Sequence, residues 1–270
     1  MIITFIGGGN MASALINGLA STPEAHELRV ADPDPAARER LADRTAVRVF
    51  GDGREAVAGA DVVVLAVKPQ VLPGVLGAIA PSLGPGHTLV SVAAGITVDT
   101  LQQPLREDVP VVRTMPNTPA LLGLGITGLY ADARCDAADR AAAELVLGAC
   151  GEIVWLDEES QLDTVTAVSG SGPAYYYLFT EALADAGTDL GLPRETARRL
   201  AVHTARGAGA MMLESDAELE TLRRRVTSPG GTTQAAIERF EAGGLRTLVA
   251  DAAGAAVCRG RELAREGAST

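Results

Sequence analysis

Gly7, Gly8 and Gly9 stand together between the strand-formers Ile2, Ile3, Phe5 and Ile6 and a stretch from Met11 to Leu19 with apolar residues at helical spacing. Gly7-x-Gly9-x-x-Ala12 fits a dinucleotide fingerprint. The first glycine allows a tight turn, the second lets a pyrophosphate approach the backbone, and the small third residue permits helix-strand packing. Asn10 and Met11 then place their N–H groups at a helix N-terminus, where unpaired donors and the helix dipole favour an anion. Ile6, Gly7, Gly8, Gly9, Asn10 and Met11 are therefore candidate cofactor-binding residues. Asp32 follows in "RVADPDP", at the end of the second β-rich run, where a carboxylate binds the ribose hydroxyls of NAD and repels a 2′-phosphate. It suits a turn or helix cap before Pro33 and Pro35 equally well. Arg38 and Arg40 lie just beyond and could reverse the preference, so the choice between NADH and NADPH stays open.

Three further stretches fall where strand ends should gather over such a cofactor: "AVKPQ" at 66–70, "SVAAGIT" at 91–97 and "MPNTPALLG" at 115–123. Val67, Lys68 and Pro69 belong to the first, Ala93 and Ala94 to the second, and Asn117 and Thr118 to the third. Lys68 directly follows an apolar run and can neutralise phosphate or ribose oxygens; a simple solvated lysine is an equal reading. Far along the chain, "TSPGGTTQAAI" is a loop feeding a helix, and its N–H groups can receive a carboxylate. A plain cap by Ser228 or a threonine explains the same pattern. Cys135, Cys150 and Cys258, like His26, His87 and His203, are scattered without metal-ligand spacing. No Ser/His/Asp set and no paired catalytic carboxylates can be identified, and no metal is expected.

The elements that must position these residues are legible from residue 1 to about 155. Short β-rich runs ("IITFI", "ELRVA", "AVRVF", "DVVVLAV", "TLVSVAA", "VPVVRT", "GITGLYA" and "EIVWL") alternate with helical stretches, which implies an α/β fold with a mainly parallel sheet covered on both faces. After Trp155 the strand signals stop and the chain reads as all-α. With 270 residues, two domains are expected, 1–157 and 158–270. The helices of the second half, such as "ALADAGTDLGL" and "LVADAAGAAV", have few large apolar side chains and suit close contact between chains, so at least a homodimer is expected. A formal net charge of −11 lacks the basic footprint of a nucleic-acid or anionic-membrane binder. There is no membrane-length apolar run and no signal segment, so a cytoplasmic, reduced protein is expected.

Taken together, "LRRRVTSPGGTTQAAIERFE" at 222–241, "SGSGPAY" at 169–175, "MPNTP" at 115–119 and "AVKP" at 66–69 resemble the pyrroline-5-carboxylate reductase family along essentially the whole chain. The resemblance implies NAD(P)H-dependent reduction of a small-molecule substrate, the cyclic imine Δ1-pyrroline-5-carboxylate, to L-proline in the last step of proline biosynthesis. It implies a Rossmann domain followed by a helical dimerisation domain, in a homodimer or a higher oligomer built from dimers, with one subunit's helices completing the partner's substrate site. On the same grounds Ser228, Gly230, Gly231, Thr232 and Thr233 hold the substrate carboxylate, and the Thr233 hydroxyl stands near the ring nitrogen as the catalytic candidate. Glu159 and Asp216 match polar neighbours of the substrate, and the nicotinamide lies against "SVAAGI". Two positions depart from the family pattern: Gly53 replaces an asparagine near the adenosine ribose, and Arg225 either reaches a cofactor phosphate or faces water. Dehydrogenases of β-hydroxyacids share this order of domains but need a general base, usually lysine, in the helical part; there is none from Ser169 to Glu220.

Overall fold

The computed structural model describes residues 1–42 and 47–268, and side chains as far as Ala264. These residues form two compact units, Met1–Ser171 together with Ala256–Thr270, and Gly172–Ala255.

In the first unit the described residues form one eight-stranded sheet in the order β3-β2-β1-β4-β5-β6-β7-β8. The strands are β1 (Ile2–Ile6), β2 (Glu27–Ala31), β3 (Val47–Phe50), β4 (Val62–Leu65), β5 (Thr88–Ser91), β6 (Val111–Met115), β7 (Gly125–Ala131) and β8 (Gly151–Trp155). Each falls on one of the eight expected runs; Ala46, the first residue of "AVRVF", lies outside the described residues. Pairing is parallel except between β6 and β7. Residues 116–124 are too few for the crossover that parallel strands need, so the chain reverses there. Between β7 and β8 the helix α6 (Ala137–Gly148) supplies that crossover.

The other helices of this unit before residue 172 are α1 (Asn10–Ala20), α2 (Pro35–Ala42), α3 (Gly53–Val57), α4 (Leu72–Ile79), α5 (Val98–Gln102) and α7 (Gln161–Val165). Alternate residues of β4 enter opposite cores: Val62 and Val64 pack with Leu15, Ile16 and Val146, whereas Val63 and Leu65 pack with Leu72, Leu76 and Ile79. Burial on both faces explains why this strand is a continuous apolar run. The order 3-2-1-4-5-6 is that of the doubly wound dinucleotide fold, whose ligand crevice lies outside the carboxyl ends of the strands.

The second unit is helical: α8 (Gly172–Asp189), α9 (Arg194–Leu213), α10 (Leu219–Arg225), α11 (Thr232–Ala242) and the first part of α12 (Leu245–Ala268). The rest of α12 belongs to the first unit. Small residues let α8 and α9 approach closely, since a Cβ on Gly187 would lie 3.2 Å from that of Ala197. Among residues 172–255 only Gly172, Ala197 and Ala201 are buried, while Tyr176, Leu178, Leu213 and Leu248 are each more than 60% exposed. A single copy of this unit therefore has almost no core of its own. No described helix is long and apolar enough to cross a membrane.

Candidate active site

Gly7 leaves β1 with φ +99°, and a Cβ there would stand 2.8 Å from the Ala66 carbonyl oxygen and 2.9 Å from Val67 Cγ1. Only glycine brings the exits of β1 and β4 this close. Gly9 is the extended N-cap of α1 and makes no side-chain cap; a Cβ on it would meet nothing within 4 Å. The first helical bond runs from Ser13 N–H to the Gly9 carbonyl at 2.9 Å, so the amides of Asn10, Met11 and Ala12 precede the helical ladder. A helix start with open donors beside an absent Cβ fits the pyrophosphate of a dinucleotide.

The Asp32 carboxylate is half-buried and already engaged on both oxygens. Oδ2 accepts from Gly8 N–H at 2.7 Å, and Oδ1 accepts from Asp34 N–H at 2.9 Å. It staples the end of β2 to the glycine loop. On either side, Arg38 donates to the carbonyls of Asp32 (2.6 Å) and Pro33 (3.0 Å), and Arg40 donates to the Gly8 carbonyl (3.4 Å). Neither guanidinium pairs with a carboxylate among the described residues. Gly53 opens α3, and a Cβ there would point at Ile79 and Ile6.

Lys68 emerges exposed from the end of β4; its carbonyl accepts from Val71 N–H at 3.1 Å, and its ammonium has no hydrogen bond or ion pair among the described residues. Pro69, Gln70, Ala94, Ile96, Thr166 and Leu263 contribute to the lining of a mainly apolar cavity of about 450 Å³. Ala93 is buried and Ala94 exposed, which presents a small residue to that space. The Thr114 hydroxyl donates to the Ser91 carbonyl at 2.9 Å and ties the end of β5 to β6. Asn117 is 8% exposed, and its Oδ1 accepts from Ile126 N–H at 3.1 Å, bracing the turn that reverses the chain; Thr118 beside it is exposed.

Glu159 lies in the same unit but lines a second cavity, of about 320 Å³, with Thr97, Arg113, Asp163 and Arg261. Its Oε1 accepts from Val98 N–H at 2.8 Å and from Arg113 Nη1 at 2.7 Å. Arg113 is the residue that the sequence analysis passed over. Its signal was an arginine inside "VPVVRT", a strand apolar on both faces, where a charge needs a partner. Burial pushes the Cys135 thiol up to about 12, with Asp132 adding to the shift, and burial pushes the Cys150 thiol up to about 11.

In the second unit α11 begins at Thr232 after the extended Gly231, again without a side-chain cap, so neither Ser228 nor a threonine serves that purpose. Gly230 has φ +71° and donates its N–H to Gln234 Oε1 at 2.7 Å; Gly231 N–H closes the turn onto the Ser228 carbonyl at 3.0 Å. The hydroxyls of Thr232 and Thr233 are exposed and have no hydrogen-bond partner among the described residues. The first backbone bond onto this turn comes from Ala235 N–H to the Gly231 carbonyl at 3.2 Å, which leaves earlier amides open to an anion. Asp216 is exposed in the link between α9 and α10, and Arg225 is the exposed last residue of α10. The first unit thus gathers Ile6–Met11, Asp32, Val67–Pro69, Ala93, Ala94 and Asn117 around the carboxyl ends of its strands, and the second unit gathers Ser228–Thr233 at one helix start.

Comparison with known proteins adds an independent line. Residues 2–95 match the family described as NADP oxidoreductase, coenzyme F420-dependent, and residues 159–263 match the family described as pyrroline-5-carboxylate reductase dimerisation. The pyrroline-5-carboxylate reductase of Pseudomonas aeruginosa is 52% identical over 265 residues, 98% of this chain and 97% of that protein. Among solved structures, the pyrroline-5-carboxylate reductase of Coxiella burnetii superposes with a TM-score of 0.91 at 39% identity, over 97% of both chains. The pyrroline carboxylate reductase of Plasmodium falciparum, solved with NADP bound, gives a TM-score of 0.84 at 30% identity over 98% of both chains.

Proposed function

The chain belongs to the pyrroline-5-carboxylate reductase family, and we propose that it reduces Δ1-pyrroline-5-carboxylate to L-proline with a reduced nicotinamide cofactor. The observation that carries this reading is the pair of helix starts without a side-chain cap: one behind Gly9, suited to a pyrophosphate, and one behind Gly231, suited to a substrate carboxylate, with a threonine hydroxyl beside it that has no partner among the described residues. When bound, the cofactor supplies a hydride. The chain's own residues supply place and charge: the amides after Gly9 hold the pyrophosphate, Val67, Lys68, Pro69, Ala93, Ala94 and Asn117 surround the remainder, and the α11 amides with Ser228, Gly230 and Gly231 hold the substrate. Thr233 Oγ1 accepts from the protonated ring nitrogen. Because that nitrogen arrives protonated and the product amine keeps the proton, the chemistry asks for neither a base nor a metal, and orientation is the main contribution of the protein.

For the cofactor, the occupied Asp32 carboxylate and the two arginines, which have no carboxylate partner among the described residues, support NADPH as the better-used form, since a guanidinium matches the 2′-phosphate. Residues 158–270 form the dimerisation and substrate domain in this reading, and the sparse burial within 172–255 supports a homodimer in which the helices of two chains form one core. Three free cysteines suit a reducing compartment, and we place the protein in the cytoplasm, acting on a small molecule and not on nucleic acid or membrane. The test is steady-state turnover with pyrroline-5-carboxylate and with a β-hydroxyacid, using each cofactor. The proposal expects imine reduction and no alcohol oxidation; the reverse pattern removes it.

A further inference from the structure

We propose that Glu159 is a positioning residue for the nicotinamide half of the site, acting through the loop at 92–97 and the end of β6 without touching substrate. The inference deepens the function proposed above and rests on it for the location of the nicotinamide.

One carboxylate oxygen, Glu159 Oε1, takes two donors at once: Val98 N–H at 2.8 Å and Arg113 Nη1 at 2.7 Å. Val98 is the first residue of α5 and follows "SVAAGIT" directly, while Arg113 stands two residues before Met115, where β6 gives way to "PNTP". The single oxygen therefore fixes the far side of two of the three strand-end loops that the cofactor reading uses. Arg113 is 7% exposed at its side chain and Glu159 26%, so the pair is desolvated enough to hold geometry, and one buried charge left alone would be strongly unfavourable. Ala94, Gly95 and Ile96 face the larger cavity, whereas Thr97, Arg113 and Glu159 line the smaller one. Asp163 borders both cavities, and Glu159 lines the smaller one and not the larger. In the same strand pair Thr114 Oγ1 donates to the Ser91 carbonyl, Val92 N–H donates to the Leu65 carbonyl at 3.2 Å and Ala93 N–H to Ser91 Oγ at 3.4 Å, so the near end of the loop is tied to the sheet and Val98 N–H on Glu159 anchors its far end.

The test separates the two halves of the cofactor. For Glu159→Gln, binding of the complete reduced cofactor is followed by its fluorescence, and binding of the adenosine half by calorimetry with 2′,5′-ADP. We expect roughly 10-fold weaker binding of the complete cofactor and a roughly 10- to 100-fold lower kcat, on the scale of one misplaced anchor. Affinity for 2′,5′-ADP should stay within about 2-fold. Arg113→Gln combined with Glu159→Gln removes both charges and should show the same split, which keeps the test available if the single variant does not fold. A rise in KM for the imine alone, with cofactor affinity unchanged, would put Glu159 in contact with substrate and overturn the proposal. Equal weakening of both ligands, or a lower melting temperature with unchanged constants, would overturn it too. If the wild type binds cofactor but does not reduce the imine, the functional proposal fails while the binding split remains readable.

Discussion

Gly9→Ala should separate cofactor binding from folding. Gly9 has φ −73°, within reach of any residue, and no atom lies within 4 Å of the Cβ that alanine would add. At an N-cap, alanine is about 0.5 kcal/mol worse than glycine, and the reduced freedom of the unfolded chain returns about 0.4–1 kcal/mol, so the net change in stability is near zero. At about 2–4 °C per kcal/mol for a chain of this size, the melting temperature should move by less than about 2 °C. The added methyl nevertheless occupies the face that a pyrophosphate would approach, and overpacking of about 1–3 kcal/mol corresponds to about 5- to 150-fold weaker binding. Gly7→Ala is the contrast. Its φ of +99° and the 2.8 Å approach to the Ala66 oxygen combine backbone strain of about 1–3 kcal/mol with overpacking of about 1–3 kcal/mol, which should lower the melting temperature by at least about 4 °C. Thermal melts and cofactor titrations on both variants provide the check. A Gly9→Ala protein that binds cofactor like the wild type would show that nothing approaches this glycine, and the assignment of the loop would fall.

Asp32→Asn should weaken NADH and NADPH alike, because it disturbs the staple to Gly8, whereas Arg40→Ala should raise the KM for NADPH about 10-fold and leave that for NADH within about 2-fold; an NADPH-selective gain from Asp32→Asn would return the carboxylate to ribose selection. Thr233→Val should keep the fold and lower kcat/KM by about 10- to 1,000-fold, since a hydrogen bond to a charged group contributes about 1.5–3 kcal/mol and orientation is lost with it; near wild-type turnover removes Thr233 from the site. Sedimentation at micromolar concentration should show no active species at 27.7 kDa. The folded pKa values of Cys135 and Cys150, about 12 and about 11, lie above the ordinary thiol value of 9.0, so these groups add stability below that value that is lost as pH rises through 11 and 12. At pH 8 a thiol reagent should therefore titrate at most one of the three cysteines in the native protein and all three after unfolding; two reactive native thiols would contradict their burial.

The strands were legible because a sheet covered on both faces needs apolar runs such as "VVVL", and composition alone marks them. Direction was harder. The reversal at β7 depends on the shortness of residues 116–124, a property of the connection and not of the strand. The glycine loop was legible as a motif, since turn, close approach and helix start each require a residue type at a fixed offset. What Asp32 does with its carboxylate was not, because its partner Gly8 N–H lies 24 positions away and a ribose ligand demands the same residue type. Glu159 and Arg113 are 46 positions apart, and no spacing rule joins them; only the fold brings a residue after β8 to a strand in mid-sheet. The sparse core of 172–255 followed from its alanine and glycine content, because small side chains remove too little apolar surface from water to stabilise a lone helical unit.

The central claim is that this chain delivers hydride to the imine carbon of a five-membered ring. Reduced cofactor carrying deuterium at the transferable position of the nicotinamide, incubated with the enzyme and pyrroline-5-carboxylate, tests it most directly through the mass and NMR spectrum of the product. The account predicts L-proline with one deuterium at carbon 5. Unlabelled proline, or cofactor oxidised without any proline formed, would contradict it.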